Sequence, residues 1–316
     1  MSKTTFKELA NEWMQHHKKF VKESTCSTYA AHLENHILPL LGEHTCDEIT
    51  AECLQNSILQ WLDNGRKDGT GCLAEKTVKD IVVILKACIK YGAKNGYLPY
   101  RDIDLAFPSK KGCHKKISIF SVREQKLITS AVSNSLSNKT GGILISLYTG
   151  IRIGELCALK WSDIDFLNKT ISISKTLQRL YFKDEEGNGY TKISITPPKT
   201  TTSIREIPIS SKLMKTLKKL CPDNCDSYVL TNTEKYIEPR TYRNFYGKFL
   251  HNLNIRKLKF HCLRHTFATM CIESGADYKT VSELLGHANT NITMNLYVHP
   301  SLEQKRKCVE LLDRII

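Results

Sequence analysis

The chain has 316 residues, 41% hydrophobic and 25% charged, which is length enough for two domains and ordinary composition for a globular fold. A net charge of +14, with a pI near 9.2, points toward a polyanionic partner. The longest apolar runs, IVVIL and GGILISLY, fall far short of the roughly 20 residues a membrane helix needs, so no span is predicted.

In chain order, MSKTTFKELANEW opens a charged amphipathic helix without a signal-peptide apolar core, and a cytoplasmic location is expected. Phe6, Leu9, Ala10, Trp13 and Met14 recur at three- and four-residue spacing, as do Tyr29, Leu33, His36, Ile37 and Leu40 behind the cap candidate Ser27. A third helix is expected from Thr50, burying Leu54, Ile58, Leu59 and Leu62. The fourth spans roughly Ala74 to Lys94 and stops at Asn95-Gly96. Its apolar face is Val78, Ile81, Val82, Ile84, Leu85, Cys88 and Ile89, while Lys76, Lys79, Lys86, Lys90 and Lys94 share an arc on the other side. Such a stripe suits a phosphate backbone; a merely solvated face is the alternative.

Residues 1–107 carry 13 Lys+Arg against 14 Asp+Glu, so the basic surplus belongs to residues 108–316, with 33 against 18. The break falls at Phe107-Pro108-Ser109, followed by Lys110, Lys111, Lys115 and Lys116. This reads as a basic linker over 108–120, between a helical domain of residues 1–107 and a second domain of residues 121–316. The linker lysines either lie along DNA or are simply solvated.

In the second domain, Ser121-Val122-Arg123-Glu124 has the form of a capping box. An apolar stretch from Ile143 to Tyr148 breaks at Thr149-Gly150, and a further helical pattern runs from Arg152 through Leu159. The period then changes: TISISKT, YTKISITPPKT, SIREIPI and the YVL run within 227–231 read as strands, with a hairpin tip at Asp184 to Gly189. Helical patterns resume over 211–220, 238–253, 263–274 and 278–285, and 301–316 closes the chain as an amphipathic helix carrying Val309, Leu311, Leu312, Ile315 and Ile316. The expected fold class is mainly α, with a small antiparallel sheet in the second domain. The 12 cysteines are scattered; only Cys221 and Cys225 lie close together, with no histidine pair at zinc spacing, so reduced thiols are expected rather than a metal site. No P-loop, dinucleotide fingerprint or acidic cluster spaced for Mg²⁺ is present, and no cofactor is expected.

The polar residues with chemical potential form an ordered set: Arg152 and Glu155 in TGIRIGEL, His261, Arg264 and His265 in FHCLRHTF, His287 in LLGH, and Tyr297 in MNLYVHP. A single histidine or tyrosine is usually structural; the joint order is what argues for a site. Two guanidinium forks that stay charged at any working pH can neutralise the nonbridging oxygens of a phosphodiester as charge builds in its transition state. His261 and His287 titrate near neutrality and can move protons. The phenol of Tyr297, with an unperturbed pKa of about 10, gains nucleophilicity in a cationic pocket. Glu155 orients that cluster or makes a structural salt bridge, and His265 stands beside it as a supporting residue.

That order resembles the tyrosine recombinase family, also called phage integrases, across nearly the whole chain. The resemblance implies an N-terminal four-helix, SAM-like core-binding domain, an α+β catalytic domain, and Tyr297 as the nucleophile that forms a 3′-phosphotyrosine and expels a 5′-hydroxyl. Pro198-Lys199-Thr200, leading into Ser203-Ile204-Arg205-Glu206-Ile207-Pro208, is similar to the strand-turn-strand that presents the family's catalytic lysine, which selects Lys199 over Lys192 and Lys175 as the acid for the leaving oxygen. It further implies a mobile-element enzyme acting on double-stranded DNA, a monomer when free and a homotetramer on its recombination sites, with the segment 301–316 packing into a neighbour or onto its own core. There are two departures. The core-binding helices start almost at Met1, which makes a second, arm-type site class unexpected. Tyr297 lies ten residues after His287, where nine is common, implying a one-residue insertion; Tyr278 precedes His287 and no tyrosine follows Tyr297. A type IB topoisomerase-like enzyme and a decayed DNA-binding regulator remain the alternatives.

Overall fold

The computed structural model describes residues 4–99, 103–108, 117–184, 188–198, 200–223, 225–296 and 306, and the chain divides into two compact units. One comprises residues 1–113 with 179–192; the other comprises 114–178 with 193–316.

In the first unit, α1 (Phe6–His17) starts where the Thr5 hydroxyl accepts from the Glu8 amide and the Glu8 carboxylate accepts from the Thr5 amide. It buries Phe6, Leu9, Ala10 and Trp13. The next helix, α2 (Glu23–His32), does not start at Ser27: Lys22 precedes it, and the Lys22 carbonyl accepts from the amides of Thr25 and Cys26. Ser27 lies within the helix and its hydroxyl accepts from the Tyr181 amide. A π-helical turn, Leu33–Ile37, carries the chain into α3 (Leu38–Leu41). Pro39 explains that turn, because it has no amide to offer the Asn35 carbonyl and its ring would collide with it in a regular helix.

Thr50 caps α4 (Ala51–Asn64), which buries Leu54, Ile58 and Leu62 as its pattern predicts. Leu59 is instead 42% exposed. It sits one residue, about 100°, beyond Ile58, and the core is filled by Trp61, whose indole N–H donates to the His36 carbonyl (3.2 Å). The long α5 (Glu75–Lys94) buries all seven expected apolar side chains, and its five lysines are exposed. Lys79 is engaged, pairing with Glu75 (2.7 Å) and lying 5.2 Å from the centre of the Phe107 ring.

The second unit opens with α6 (Val122–Asn134), where Ser121 and Glu124 form the expected reciprocal cap. Then α7 (Asn138–Thr149) is buried nearly all round, and α8 (Ile153–Ala158) follows behind Arg152. Five strands come next: β1 (Ile164–Asp165), β2 (Thr170–Ile173), β3 (Thr176–Lys183), β4 (Gly189–Thr196) and β5 (Arg205–Pro208). Antiparallel pairing in the order β1-β2-β5 sets Ile171 opposite both Ile164 and Ile207, so one face of this small sheet is apolar. β3 and β4 form a separate hairpin whose outer part, 179–192, groups with the first unit, where the Tyr181 hydroxyl donates to the Glu34 carboxylate.

Residues 227–231 are not a strand. Tyr228 makes single bridges to Lys160 and Thr233, and Asn232 turns the chain at φ 52°. The apolar Val229 and Leu230 signalled burial, which they achieve as a loop against the core, with Val229 donating to the Leu159 carbonyl. The remaining helices are α9 (Ser211–Leu220), α10 (Pro239–Asn252), α11 (His261–Glu273), α12 (Tyr278–Leu285) and α13 (Thr290–Leu296), the last not anticipated by periodicity. Trp161, Tyr242, Tyr246 and Phe120 anchor this unit's core. No helix among the described residues is long and apolar enough to cross a membrane. The tail helix expected over 301–316 falls outside the described residues, apart from residue 306.

Candidate active site

The C-terminal end of α12 organises the site. A helix leaves its last carbonyls without intrahelical partners, and they carry the negative end of the helix dipole. Here three successive carbonyls each accept from a different arginine: Leu284 from Arg205 Nε (2.6 Å), Leu285 from Arg264 Nη2 (2.7 Å) and Gly286 from Arg152 Nη2 (3.1 Å). Gly286 makes this possible. It ends α12 at φ 64°, a left-handed conformation that glycine adopts without cost, and a Cβ there would lie 3.1 Å from the Arg205 side chain and from the Ser203 Cα.

Arg152, behind which α8 starts, has its own fixed partner. Its Nη1 donates to Glu155 Oε1 (2.7 Å) and its amide to Glu155 Oε2 (2.9 Å). One turn of α8 supplies the spacing, as the Arg152–Glu155 separation predicts. Gly154 between them admits β3: a Cβ there would meet Thr176 Oγ1 at 2.6 Å and the Leu177 carbonyl at 2.8 Å. Glu155 is buried and also accepts from Arg205 Nη2 (2.9 Å). Burial pushes its carboxyl up, but the hydrogen bond and charge of Arg205, with the charge of Arg152, outweigh that and hold it below the usual carboxylate value.

On α11, His261, Arg264 and His265 share a face, as their spacing predicts. Arg264 is buried and also donates to the Gly150 carbonyl (2.9 Å). The rings of His261 and His265 meet edge-to-face at 4.6 Å. His261 is pushed down to about 4, first by desolvation of its inner edge and then by His265, Arg264 and Arg152. Its outer surface stays exposed, so solvent screens part of that effect. His287 is also pushed down to about 4, by burial and then by Arg264, Arg152, His261 and Arg205. Its Nδ1 lies 2.7 Å from the hydroxyl of the fully buried Thr293, on α13. Both rings are neutral near pH 7 in the free protein.

A cleft of about 370 Å³ is lined by Arg152, Glu155, Gly286 and His287, with Thr176, Gln178, Pro198, Thr200 and Ser203. Lys199 and Tyr297 lie outside the described residues, as do Lys110, Lys111, Lys115 and Lys116. Of the other lysines considered, Lys175 is engaged by Asp163 (3.2 Å). The structure thus brings together Arg152, Glu155, Arg264, His287 and the His261–His265 pair from segments more than a hundred residues apart. The α5 lysines belong to the other unit. The expectation passed over Arg205 and Thr293. Arg205 carried a usable signal, since on β5 it alternates in phase with the buried Ile207.

Residues 123–304 match the model of the phage integrase family, and residues 5–62 match the phage integrase N-terminal SAM-like domain. The chain belongs to the phage integrase family, the tyrosine recombinases, enzymes of site-specific DNA breakage and rejoining. It is 34% identical over 264 residues to a tyrosine recombinase XerC-like protein of Caldanaerobacter subterraneus, covering 76% of this chain and 66% of that one. It is 24% identical to the integrase of Staphylococcus phage L54a, covering 99% and 93%. Among solved structures, the Tn1549 transposon integrase in complex with transposon right end DNA superimposes with a TM-score of 0.75 at 20% identity, over 98% of this chain and all of that one. A lambda integrase tetramer bound to a Holliday junction gives 0.63 at 17% identity, over 91% and 78%.

Proposed function

We propose that this chain recombines double-stranded DNA by forming a covalent 3′-phosphotyrosine through Tyr297 and resealing it with a 5′-hydroxyl from another duplex. The observation that carries this reading is the pair Arg152 and Arg264, both tethered to the end of α12: Arg152 and His287 line the cleft, and Arg264 is buried beside them. In this reading the two guanidinium groups hold the nonbridging oxygens of the scissile phosphate. His287, its Nδ1 engaged by Thr293, offers Nε2 to the same phosphate, and His261 donates or accepts a proton. Lys199 protonates the departing 5′-oxygen; its neighbours Pro198 and Thr200 line the cleft. The phosphodiester energy is kept in the phosphotyrosine, so no ATP or metal is required.

The domain division at residues 107 and 121, and the contacts of Lys76, Lys79, Lys86, Lys90, Lys94 and the linker lysines with phosphates, belong to the same proposal. So does assembly into a homotetramer on two duplexes. For that assembly, the amphipathic segment 301–316, which lies outside the described residues, would pack into a neighbouring copy rather than onto its own core. A nicked suicide duplex taken from the DNA flanking the gene tests the core of the reading. Wild type should become covalently attached, and Tyr297→Phe should bind the same duplex without attachment. An undiminished adduct in Tyr297→Phe would refute the nucleophile.

A further inference from the structure

We infer that Arg205 is a positioning residue for strand transfer: it neutralises Glu155, so that this carboxylate can aim Arg152 without cancelling its charge. The inference rests on the function proposed above. Arg205 does not itself face substrate. Its side chain is 6% exposed, and its donors are consumed by Glu155, by the Leu284 carbonyl and by the Ser203 carbonyl (3.0 Å). Glu155 is 2% exposed and is shared by the two arginines, its Oε1 accepting from Arg152 Nη1 (2.7 Å) and Arg205 Nη1 (3.3 Å) and its Oε2 from Arg205 Nη2 (2.9 Å). A carboxylate alone beside Arg152 would fix that side chain and also extinguish it as a cation. With Arg205 present, the three arginines against one glutamate leave a formal charge of +2, which matches a phosphoryl group that gathers a second negative charge in its transition state. Arg205 also ties β5, which follows Lys199 in the chain, to the helix end that precedes His287. Ser203 reinforces that tie, donating to the Gly286 carbonyl (3.4 Å).

In a double-mutant cycle a charge role predicts that losing both side chains restores affinity for a phosphate mimic, whereas a merely structural pair restores stability alone. The four proteins are wild type, R205M, E155Q and R205M/E155Q, each assayed for suicide-substrate attachment and for the rise in unfolding midpoint produced by orthovanadate, a phosphate mimic. R205M should lower attachment by roughly 10²-fold, the scale of losing one transition-state donor. It should also shrink the vanadate shift. R205M/E155Q should recover at least about tenfold of that loss, because it returns the charge balance to +2. A double variant no better than R205M, or an R205M as active as wild type, would overturn the inference. Should R205M fail to fold, R205K and R205Q take its place, with R205K expected to retain far more attachment; equal values would overturn it. Should wild type itself form no Tyr297-dependent adduct, the proposed function fails, while the vanadate shifts still decide the charge cycle.

Discussion

Gly286→Ala probes the helix end on which the whole site hangs. Two costs follow from the geometry. The backbone sits at φ 64°, where an L-residue is disfavoured by about 1–2 kcal/mol. The new methyl would also lie 3.1 Å from the Arg205 Cδ and Nη1 and from the Ser203 Cα, a crowding that forces a shift of a few tenths of an ångström and adds about 1 kcal/mol. The sum, about 2–3 kcal/mol, should lower the unfolding midpoint of the catalytic unit by roughly 4–12 °C. Displacing Arg205 and the start of the His287 loop should lower suicide-substrate attachment by about 10²-fold, since misplacement on the ångström scale is enough for that. Gly69→Ala supplies the control: it has nearly the same φ, 68°, with no neighbour within 4 Å of the added carbon, so it carries the backbone cost alone and should leave attachment unchanged. Differential scanning calorimetry and the attachment assay on both variants decide the matter. If Gly286→Ala loses no more stability and no more activity than Gly69→Ala, the contacts at the end of α12 do not organise the site.

Three further outcomes are expected. Lys199→Ala should cleave slowly and recover on a 5′-bridging phosphorothiolate, whose sulfur leaves unprotonated, whereas Lys175→Ala, already engaged by Asp163, should cleave normally; no recovery removes the general-acid role. Thr293→Val keeps the shape of a fully buried side chain but removes the partner of His287 Nδ1, so kcat should fall by about tenfold with little change in DNA affinity; an equal loss of binding would mean that the contact only supports α13. His261 and His287 titrate at about 4 in the native state, against about 6.5 when unfolded. The native state therefore binds fewer protons, and stability is fully present above pH 6.5 and declines as pH falls toward 4. The slope is at most about 1.4 kcal/mol per pH unit for each group, and less for the more exposed His261. Urea midpoints at pH 7 and pH 5 should show a smaller drop in His287→Gln than in wild type; equal drops contradict the assignment.

Much of this molecule could be read in advance because one strong pattern usually dominates. In α5, twenty residues of clean periodicity gave every buried side chain and left the five lysines on the solvent side. Where patterns were short, they misled. Ser27 looked like a cap because polar residues precede an apolar repeat, yet α2 begins without any side-chain cap. The Tyr228–Leu230 run reported burial correctly and conformation wrongly, since a buried loop and a buried strand share the same apolar composition. At the site, Arg152, Arg264 and His287 were legible from their motifs, but the shared anchor was not. The contacts joining Arg152 to Gly286 and Arg205 to Leu284 span 134 and 79 residues, and nothing local encodes them. Arg205 was visible only through strand phase, as a cation on the apolar face of a four-residue strand.

The three arginines at the end of α12 also bear on how fast and how selectively the site can engage DNA. A free arginine side chain carries about 2 kcal/mol of rotamer entropy, which a loose site would have to surrender as the phosphate arrives. In this protein that ordering is done when the chain folds, because each guanidinium already rests on a carbonyl. A phosphate then meets groups that need little rearrangement. In the proposed reaction, the same rigidity would make the cleft intolerant of a scissile bond placed an ångström out of register, so accuracy in choosing the bond would be built in before any base is read.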